Sequence, residues 1–222
     1  MTENDNNGSG GGLFYALIVG CAFLASWLIY IFFKKGKVNK YTKNIVIMGA
    51  RGAGKTTLWH QLRGDKLEST YASTTADSIK TFSFKTKSGK TIKIVNGVDY
   101  GGSDDYVRDY LDLLSDNTFV FYLIDLTDLN EQAGRELRAR LEAIVRTFQN
   151  NKMKGQGIKL LATNFGKYSS ISNKTRDEAK YEVMQLIGLE KFKKLKIKDK
   201  IKVVELKDPS DIDEIKEEIA NV

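Results

Sequence analysis

The sequence predicts an α/β fold: a six-stranded, mostly parallel sheet with helices on both faces, preceded by one transmembrane helix. Two observations lead to this prediction. From residue 44 onward, short apolar runs typical of buried strands alternate with longer segments of helical spacing. Before that point, residues 13–33 form an uncharged, mostly apolar stretch of 21 residues. Such a stretch is long enough to cross the ~30 Å of hydrocarbon in a bilayer.

Local patterns predict the individual elements of the sheet domain. The predicted strands are residues 44–48, 79–84, 91–95, 118–124, 157–162 and 201–206. Helices are predicted over 54–62, from the Gly-rich loop at 99–103 to residue 114, over 130–149, over 175–187, and from Pro209 onward. The polar residues 64–77 are predicted to form a loop, Ser88 and Gly89 a hairpin turn, and Asp208 the cap of the last helix.

Composition excludes several kinds of site. Cys21 is the only cysteine and His60 the only histidine, so an internal disulfide, a cysteine-rich zinc site and a multi-histidine metal site are not expected. The net charge of +7 comes without the Arg-rich, aromatic pattern of a nucleic-acid surface, and no direct DNA binding is expected. The basic run at 191–202 is predicted to be a solvated face or loop; contact with an anionic membrane or RNA is the alternative.

The N-terminal segment has the organisation of a membrane anchor. Residues 1–12 are predicted to be a disordered leader, 13–33 the transmembrane helix, 34–43 a basic juxtamembrane linker and 44–222 one folded domain. A cleaved signal peptide is the alternative, but the acidic leader lacks the positive segment that precedes such peptides. Because the lysines follow the helix, the positive-inside rule predicts a cytosolic C-terminal domain.

A phosphate-binding loop follows the first predicted strand. Its residues match G-x-x-x-x-G-K-[ST] and are Gly49, Ala50, Arg51, Gly52, Ala53, Gly54, Lys55 and Thr56. In such a loop, backbone N–H groups and a helix N-terminus cradle phosphate oxygens, Lys55 pairs with the β- and γ-phosphates, and the Thr56 hydroxyl binds Mg²⁺. Thr57, the next residue of the helix, is assigned to the same site. The motif alone does not separate kinases, ATPases and GTPases.

Later motifs favour the GTPases. Asp99 to Gly102 match D-x-x-G, the switch II sequence of GTPases. There Asp99 would hold a Mg²⁺-bound water, and the Gly102 N–H would sense the γ-phosphate. Thr74 and Thr75 lie between the first helix and the hairpin, where switch I would close on Mg²⁺.

With these motifs the chain resembles the Ras-like small GTPases, and more narrowly the family of beta subunits of the signal recognition particle receptor. The resemblance covers residues 13–222, and residues 73–78 resemble the switch I segment, which puts Thr74 at the Mg²⁺ position. It implies bound GTP and Mg²⁺, a signal recognition particle receptor alpha subunit as partner, and a single-pass position in the endoplasmic reticulum membrane. The ribosome is a further candidate partner.

The base-reading motifs depart from this family. Asn164 matches the first position of N-K-x-D, but Lys167 stands where an aspartate accepts hydrogen bonds from guanine. An ammonium group is a donor only and cannot replace that acceptor. Of the S-A-K motif only Lys207 remains, and Glu205 or a nearby acid is a candidate for the missing acceptor.

Two residues near the γ-phosphate predict slow hydrolysis. Ser103 follows D-x-x-G, where many GTPases use glutamine to orient the attacking water. Arg51 occupies a phosphate-loop position that is often glycine, and it would act as a cis arginine or block hydrolysis sterically. Both are candidate catalytic residues, in a GTPase whose activity is slow or depends on a partner.

Three other functions stay open from the sequence. The chain could be a different membrane-tethered small GTPase, or a pseudo-GTPase scaffold that binds nucleotide permanently or not at all. A small-molecule kinase is the third, although no Arg-bearing lid segment is evident.

Overall fold

A computed structural model describes residues 42–65, 76–95, 97–102, 107–116, 118–152, 157–188 and 200–221. The chain divides between residues 40 and 41 into two units, and all of the described residues belong to the second. Within the described ranges, no helix combines the length and apolarity needed to cross a membrane. The predicted leader, transmembrane helix and linker up to residue 41 lie outside these ranges.

The described part of the chain forms eight strands and six α-helices. The strands are β1 (Thr42–Gly49), β2 (Ala76–Ile79), β3 (Phe82–Lys85), β4 (Thr91–Ile94), β5 (Gly97–Tyr100), β6 (Thr118–Asp125), β7 (Gly157–Thr163) and β8 (Ile201–Val203). The helices are α1 (Lys55–Arg63), α2 (Val107–Asp112), α3 (Glu131–Asn150), α4 (Phe165–Ser172), α5 (Arg176–Ile187) and α6 (Pro209–Asn221), with a 3-10 turn at Leu126–Asp128.

Six of the strands form one sheet in the order β3-β4-β1-β6-β7-β8. Only β3 runs antiparallel to its neighbour, so the prediction of a mostly parallel six-stranded sheet is confirmed. Because β1, β6, β7 and β8 are parallel, their carboxyl ends lie at one edge, where ligands bind in open α/β sheets.

Helices cover both faces of this sheet, as the sequence predicts. Alternate residues of β1 point to opposite faces, and residues 45–49 are all buried because both faces carry helices. Ile45 and Ile47 belong to the core under α1 and α6, whose apolar residues include Leu58 and Ile215. The other core lies under α2, α3 and α5, and Leu141 is one of its fully buried members.

The predicted hairpin is present, but its arms are interrupted. The strand predicted over 79–84 is divided at residues 80 and 81, and the predicted loop 64–77 gives its last two residues to β2. The pairings Ile79↔Gly97 and Phe82↔Ile94 keep one register, so β2–β5 and β3–β4 form one long hairpin with a break. Ile79 in β2 and Phe84 in β3 are both buried. They are five positions apart and would lie on opposite faces of an unbroken strand, so the face that is buried changes at the break.

Two further differences concern element ends, and a third is a helix that the sequence did not indicate. The Gly-rich segment predicted as a loop from residue 99 begins inside β5, and the strand predicted over 201–206 ends at Val203. Helix α4 was not predicted at all. The cap at Asp208 is confirmed, because its carboxylate accepts a hydrogen bond of 2.9 Å from Ser210 N.

Candidate nucleotide-binding site

The phosphate loop joins β1 to α1 and turns through three glycines in left-handed conformations. Gly49, Gly52 and Gly54 have φ of 149°, 79° and 91°, which side chains other than glycine adopt at a cost. Space is also limiting at Gly49, where a Cβ would lie 2.5 Å from the Leu123 carbonyl oxygen. The sequence motif therefore forms a compact loop at the carboxyl edge of the sheet, with the N-terminus of α1 beside it.

Lys55 lies under this loop. Its ammonium donates hydrogen bonds to the carbonyl oxygens of Gly49 and Ala50, at 3.1 and 3.0 Å. Burial lowers the pKa of Lys55 to about 8; the Asp99 carboxylate opposes this effect, and the Arg140 guanidinium adds to it. The lysine is thus held at the loop, where a bound anion would stabilise its charged form.

Asp99, at the third position of β5, reaches the start of α1. The Thr56 hydroxyl donates a hydrogen bond of 2.5 Å to Asp99 Oδ2. Only 2% of Asp99 is exposed, and burial raises the pKa of this carboxyl, whereas the Thr56 hydrogen bond and Lys55 lower it. Asp99 Oδ1 is buried with no hydrogen-bond partner among the described residues.

This pair of oxygens fits a magnesium ion. Mg²⁺ prefers hydroxyl, carboxylate and phosphate oxygens, and it is usually held by one or two protein groups together with substrate phosphates. A carboxylate oxygen buried without a partner is costly unless a cation or water satisfies it. Among the described residues, no group of three or more His, Cys, Asp or Glu side chains could hold a metal. Thr56 and Asp99 would therefore hold Mg²⁺ beside the phosphates of a bound nucleotide, where the ion would neutralise phosphate charge.

Gly102 packs directly on the phosphate loop. A Cβ at Gly102 would lie 2.2 Å from Arg51 N and 2.5 Å from the Ala50 carbonyl carbon. The backbone of the D-x-x-G segment thus touches the loop at Arg51, whose side chain is exposed. Thr57 lies on the first turn of α1. Thr74 and Ser103 lie outside the described residues, and their assignments stay predictions.

The predicted base-reading residues lie at the same edge of the sheet. Asn164 follows β7 in a left-handed conformation, with φ of 60°, which asparagine tolerates better than most residues. Lys167 is exposed on the first turn of α4, and Lys207 is exposed between β8 and α6. The buried Thr163 hydroxyl donates to Ala53 O at 2.9 Å, which connects the end of β7 to the phosphate loop.

The structure also places near the site residues that the sequence did not identify as site residues. Arg140, on α3, is nearly buried, and its guanidinium lies 3.4 Å from the Tyr122 hydroxyl. Both residues line a cavity of about 140 Å³ that reaches Ala50 of the phosphate loop. Asp125 lines the same cavity, at the end of β6. No sequence motif identifies Arg140 as a site residue. A charged residue in an amphipathic helix is normally expected on the solvent-exposed face, so its burial could not be predicted.

A second addition is an ion pair between the first turns of α5 and α6. Arg176 Nη2 lies 2.9 Å from Asp211 Oδ2, and Arg176 Nη1 donates to Val203 O at 2.6 Å. The Arg176 guanidinium also lies 4.8 Å from the centroid of the Phe165 ring, a cation–π contact. Helix spacing in the sequence identifies neither partner, because the pair joins residues 35 positions apart.

Together, the loop after β1, the lysine under it and the Thr56–Asp99 pair define a P-loop nucleotide-binding domain of the small-GTPase class. The chain matches the ADP-ribosylation factor (Arf) family over residues 29–219, and it belongs to that family. No curated protein matches the chain significantly.

A solved structure supports the fold. It is the Roco2 RocCORdC protein of Methanosarcina barkeri bound to GDP, which matches with a TM-score of 0.51 and 18% sequence identity. The match covers 82% of this chain and 50% of the Roco2 chain, so our chain spans half the length of that protein. At this identity the likeness concerns the fold alone.

Proposed function

We propose that the protein is a membrane-anchored switch that binds GTP with Mg²⁺ and changes its affinity for a partner with the state of the nucleotide. The observation that carries this proposal is the 2.5 Å hydrogen bond between Thr56 and Asp99. It joins the helix behind the phosphate loop to the strand that leads to Gly102. A change at the phosphates is therefore passed directly to this segment, as in other GTPase switches.

The particular role that fits best is that of a beta subunit of the signal recognition particle receptor. The support is the order of parts along the chain: an apolar anchor at 13–33, a basic linker at 34–43 and an Arf-family domain. In this proposal the receptor alpha subunit binds the GTP-loaded face, and the anchor spans the endoplasmic reticulum membrane once with the domain in the cytosol. The ribosome is the further partner in this role.

Nucleotide identity tests the first part of the proposal. Full-length protein purified in detergent is denatured, and the released nucleotide is identified by chromatography; the expected product is GDP or GTP. Titrations with GTP and ATP follow, with and without Mg²⁺. Lys55→Ala is expected to weaken GTP binding at least roughly tenfold, because it removes a charge-assisted contact. Lys85→Ala, at an exposed lysine of β3, is the matched control. Tighter binding of ATP than of GTP contradicts the proposal.

Partner capture tests the narrower role. The alpha subunit from the same organism is expected to co-purify with the GTP-loaded protein and not with the GDP-loaded protein. Protease protection in sealed microsomes checks the orientation, with the domain expected on the accessible side. A protein that binds GTP but captures no alpha subunit in either state is instead a different membrane-tethered small GTPase.

Hydrolysis is proposed to be slow, so that the triphosphate acts mainly in assembly. The support is Ser103 in place of a water-orienting glutamine; unassisted Ras-type hydrolysis runs at ~10⁻⁴ s⁻¹. Turnover faster than about 1 min⁻¹ by the full-length protein alone would contradict this part. The scaffold alternative predicts that partner binding is the same for wild type and Lys55→Ala.

A further inference from the structure

We propose that Glu205 supplies the carboxylate that recognises the guanine base, in place of the acceptor that Lys167 cannot provide. This inference rests on the proposed GTP-binding function and names the residue that sets the choice of base. The two loops that carry Asn164 and Glu205 follow neighbouring parallel strands. The register of β7 and β8 pairs Ala162 with Val203. Asn164 and Glu205, each two residues further on, therefore lie at matching positions just beyond the strand ends.

These two loops lie beside the phosphate loop. Thr163, which precedes Asn164, donates to Ala53 O. Leu206, which follows Glu205, lies so close to Gly54 that a Cβ there would be 2.6 Å from Leu206 Cδ1. A nucleotide whose phosphates occupy the loop at the start of α1 would thus have its base near both residues.

The Glu205 carboxylate is held in place by main-chain groups. Its Oε2 accepts a hydrogen bond of 2.9 Å from Gly166 N, and its Oε1 accepts one of 3.3 Å from Lys207 N. The backbone N–H of Glu205 donates to Asp211 Oδ2 at 2.6 Å, and Asp211 is paired with Arg176. The half-buried side chain is therefore preorganised rather than mobile.

A carboxylate held in this way still has acceptor capacity. Its two oxygens offer about four lone-pair positions, and the main chain uses two of them. Guanine presents two adjacent donors, the N1–H and the N2 amino group, which match the two oxygens of one carboxylate as a guanidinium does. Adenine has an acceptor at N1, so a carboxylate there repels it. Position 205 thus favours guanine over adenine.

A purely structural role for Glu205 makes a different prediction. Its contact with Gly166 N lies in the first turn of α4, where a negative charge also stabilises a helix. If this were its only task, removal of the charge would lower stability and leave the relative affinities for different bases unchanged. The ratio between nucleotides therefore separates the two roles, whereas stability alone does not.

The experiment compares four triphosphates on full-length protein in detergent: GTP, ITP, which lacks the N2 amino group, XTP, which carries an oxygen there, and ATP. Wild type is expected to prefer GTP over ITP and ATP. Glu205→Gln is expected to weaken GTP binding roughly tenfold to hundredfold and to strengthen XTP binding relative to GTP, because a carboxamide can donate to the xanthine oxygen. The matched control is Asp208→Ala, which removes another helix-capping acid and is expected to lower stability without changing the ratios.

The outcomes distinguish this inference from the proposed function. GTP/XTP and GTP/ATP affinity ratios that stay within twofold of wild type in Glu205→Gln overturn the role of Glu205, while GTP binding itself stands. Equal affinity of the wild type for all four triphosphates also overturns the inference, because it would mean that the protein binds the phosphates without recognising the base. Wild type that binds none of them overturns the GTP switch itself.

Discussion

The Thr56 hydroxyl donates a 2.5 Å hydrogen bond to Asp99, a carboxylate that is 2% exposed and lies 43 residues further along the chain. One carboxylate oxygen is satisfied by this contact, and the other has no partner in the described part of the chain. A buried anion in this state destabilises the protein unless a cation joins it. We therefore expect the charge of Asp99 to favour Mg²⁺ binding and to lower the stability of the nucleotide-free protein.

Asp99→Asn tests both effects of this buried charge, on Mg²⁺ binding and on stability. The amide keeps the shape and can accept the Thr56 hydrogen bond, but it removes the negative charge that attracts Mg²⁺. We expect the tightening of GTP binding by Mg²⁺ to fall roughly tenfold or more, since a charge-assisted contact contributes ~1.5–3 kcal/mol. Without nucleotide, the variant should melt at the same temperature as wild type or higher. Titration calorimetry with and without EDTA measures the first effect, and a Mg²⁺ dependence equal to that of wild type contradicts it.

Lys55 predicts a pH dependence of nucleotide binding. Its pKa falls from 10.5 to about 8 in the folded, nucleotide-free protein, chiefly through burial. Phosphate oxygens stabilise the charged form, so binding above pH 8 takes up a proton, and the Kd for GTP should rise up to about tenfold per pH unit. In the absence of nucleotide, the unfolded chain holds this proton between pH 8 and 10.5 and the folded chain does not. The Lys55 contribution to the free energy of unfolding therefore rises with pH in this window.

Calorimetry in two buffers with different ionisation heats measures this proton uptake at pH 8.5. Lys55→Arg is the matched control, because a guanidinium keeps its charge throughout the range. Equal changes in Kd for both proteins between pH 7 and 9 would assign the pH dependence to another group.

The sequence predicted the central strands of this fold well because they are buried on both faces. β1, β6 and β7 contain short, mostly apolar runs, and their predicted bounds differ from the observed ones by at most two residues. Helix α4 gave no such signal, since Tyr168 is its only buried residue and its first turn follows a left-handed Asn164. Its position depends on contacts with distant residues such as Glu205.

The residues of the candidate site likewise fall into those that the sequence predicts and those that it does not. The phosphate loop and Asp99 have fixed local motifs, because backbone N–H groups and a metal ligand require particular residues at particular spacings. Arg140 and the Arg176–Asp211 pair have no local signature. Their roles arise from elements that are distant in sequence and adjacent only in the folded chain. In the sequence Glu205 is only one candidate among nearby acids, because its contact with Gly166 N joins residues 39 positions apart.

Gly102→Ala is expected to uncouple the D-x-x-G segment from the phosphate loop. The new Cβ would lie 2.2 Å from Arg51 N, a backbone atom that cannot move cheaply, so the segment must withdraw. Hydrogen exchange at residues 97–102 should become equally fast with GTP and GDP bound, while the Kd for GDP changes less than about threefold because the phosphate loop itself is intact.

Gly89→Ala controls for the strain of substituting a glycine. Gly89 has a φ of 80° but no atom within 4 Å of a new Cβ, so the change should cost roughly 1 kcal/mol of stability. It should leave exchange at 97–102 dependent on the nucleotide. A difference between GTP and GDP that persists in Gly102→Ala contradicts the coupling.

Glu217 connects α6 to the turn of the hairpin, and its removal should loosen that turn. Its two carboxylate oxygens accept hydrogen bonds from Ser88 N and Ser88 Oγ, at 2.5 and 3.0 Å. The Ser88 backbone N–H is the main cause that lowers the pKa of Glu217 below its ordinary 4.5. The carboxylate therefore stabilises the folded state above pH 4.5, and this contribution is lost as the pH falls through the lowered value.

Hydrogen exchange at residues 86–90 measures this effect. Glu217→Gln should exchange faster than wild type at neutral pH, and the difference should shrink in acid, where wild type has lost its own charge. Glu214→Gln is the matched control on the same helix, because Glu214 pairs with Lys202 of β8 and does not reach the turn. Exchange at the turn that rises equally in both variants would mean that α6 as a whole, rather than the Glu217 contact, holds the hairpin in place.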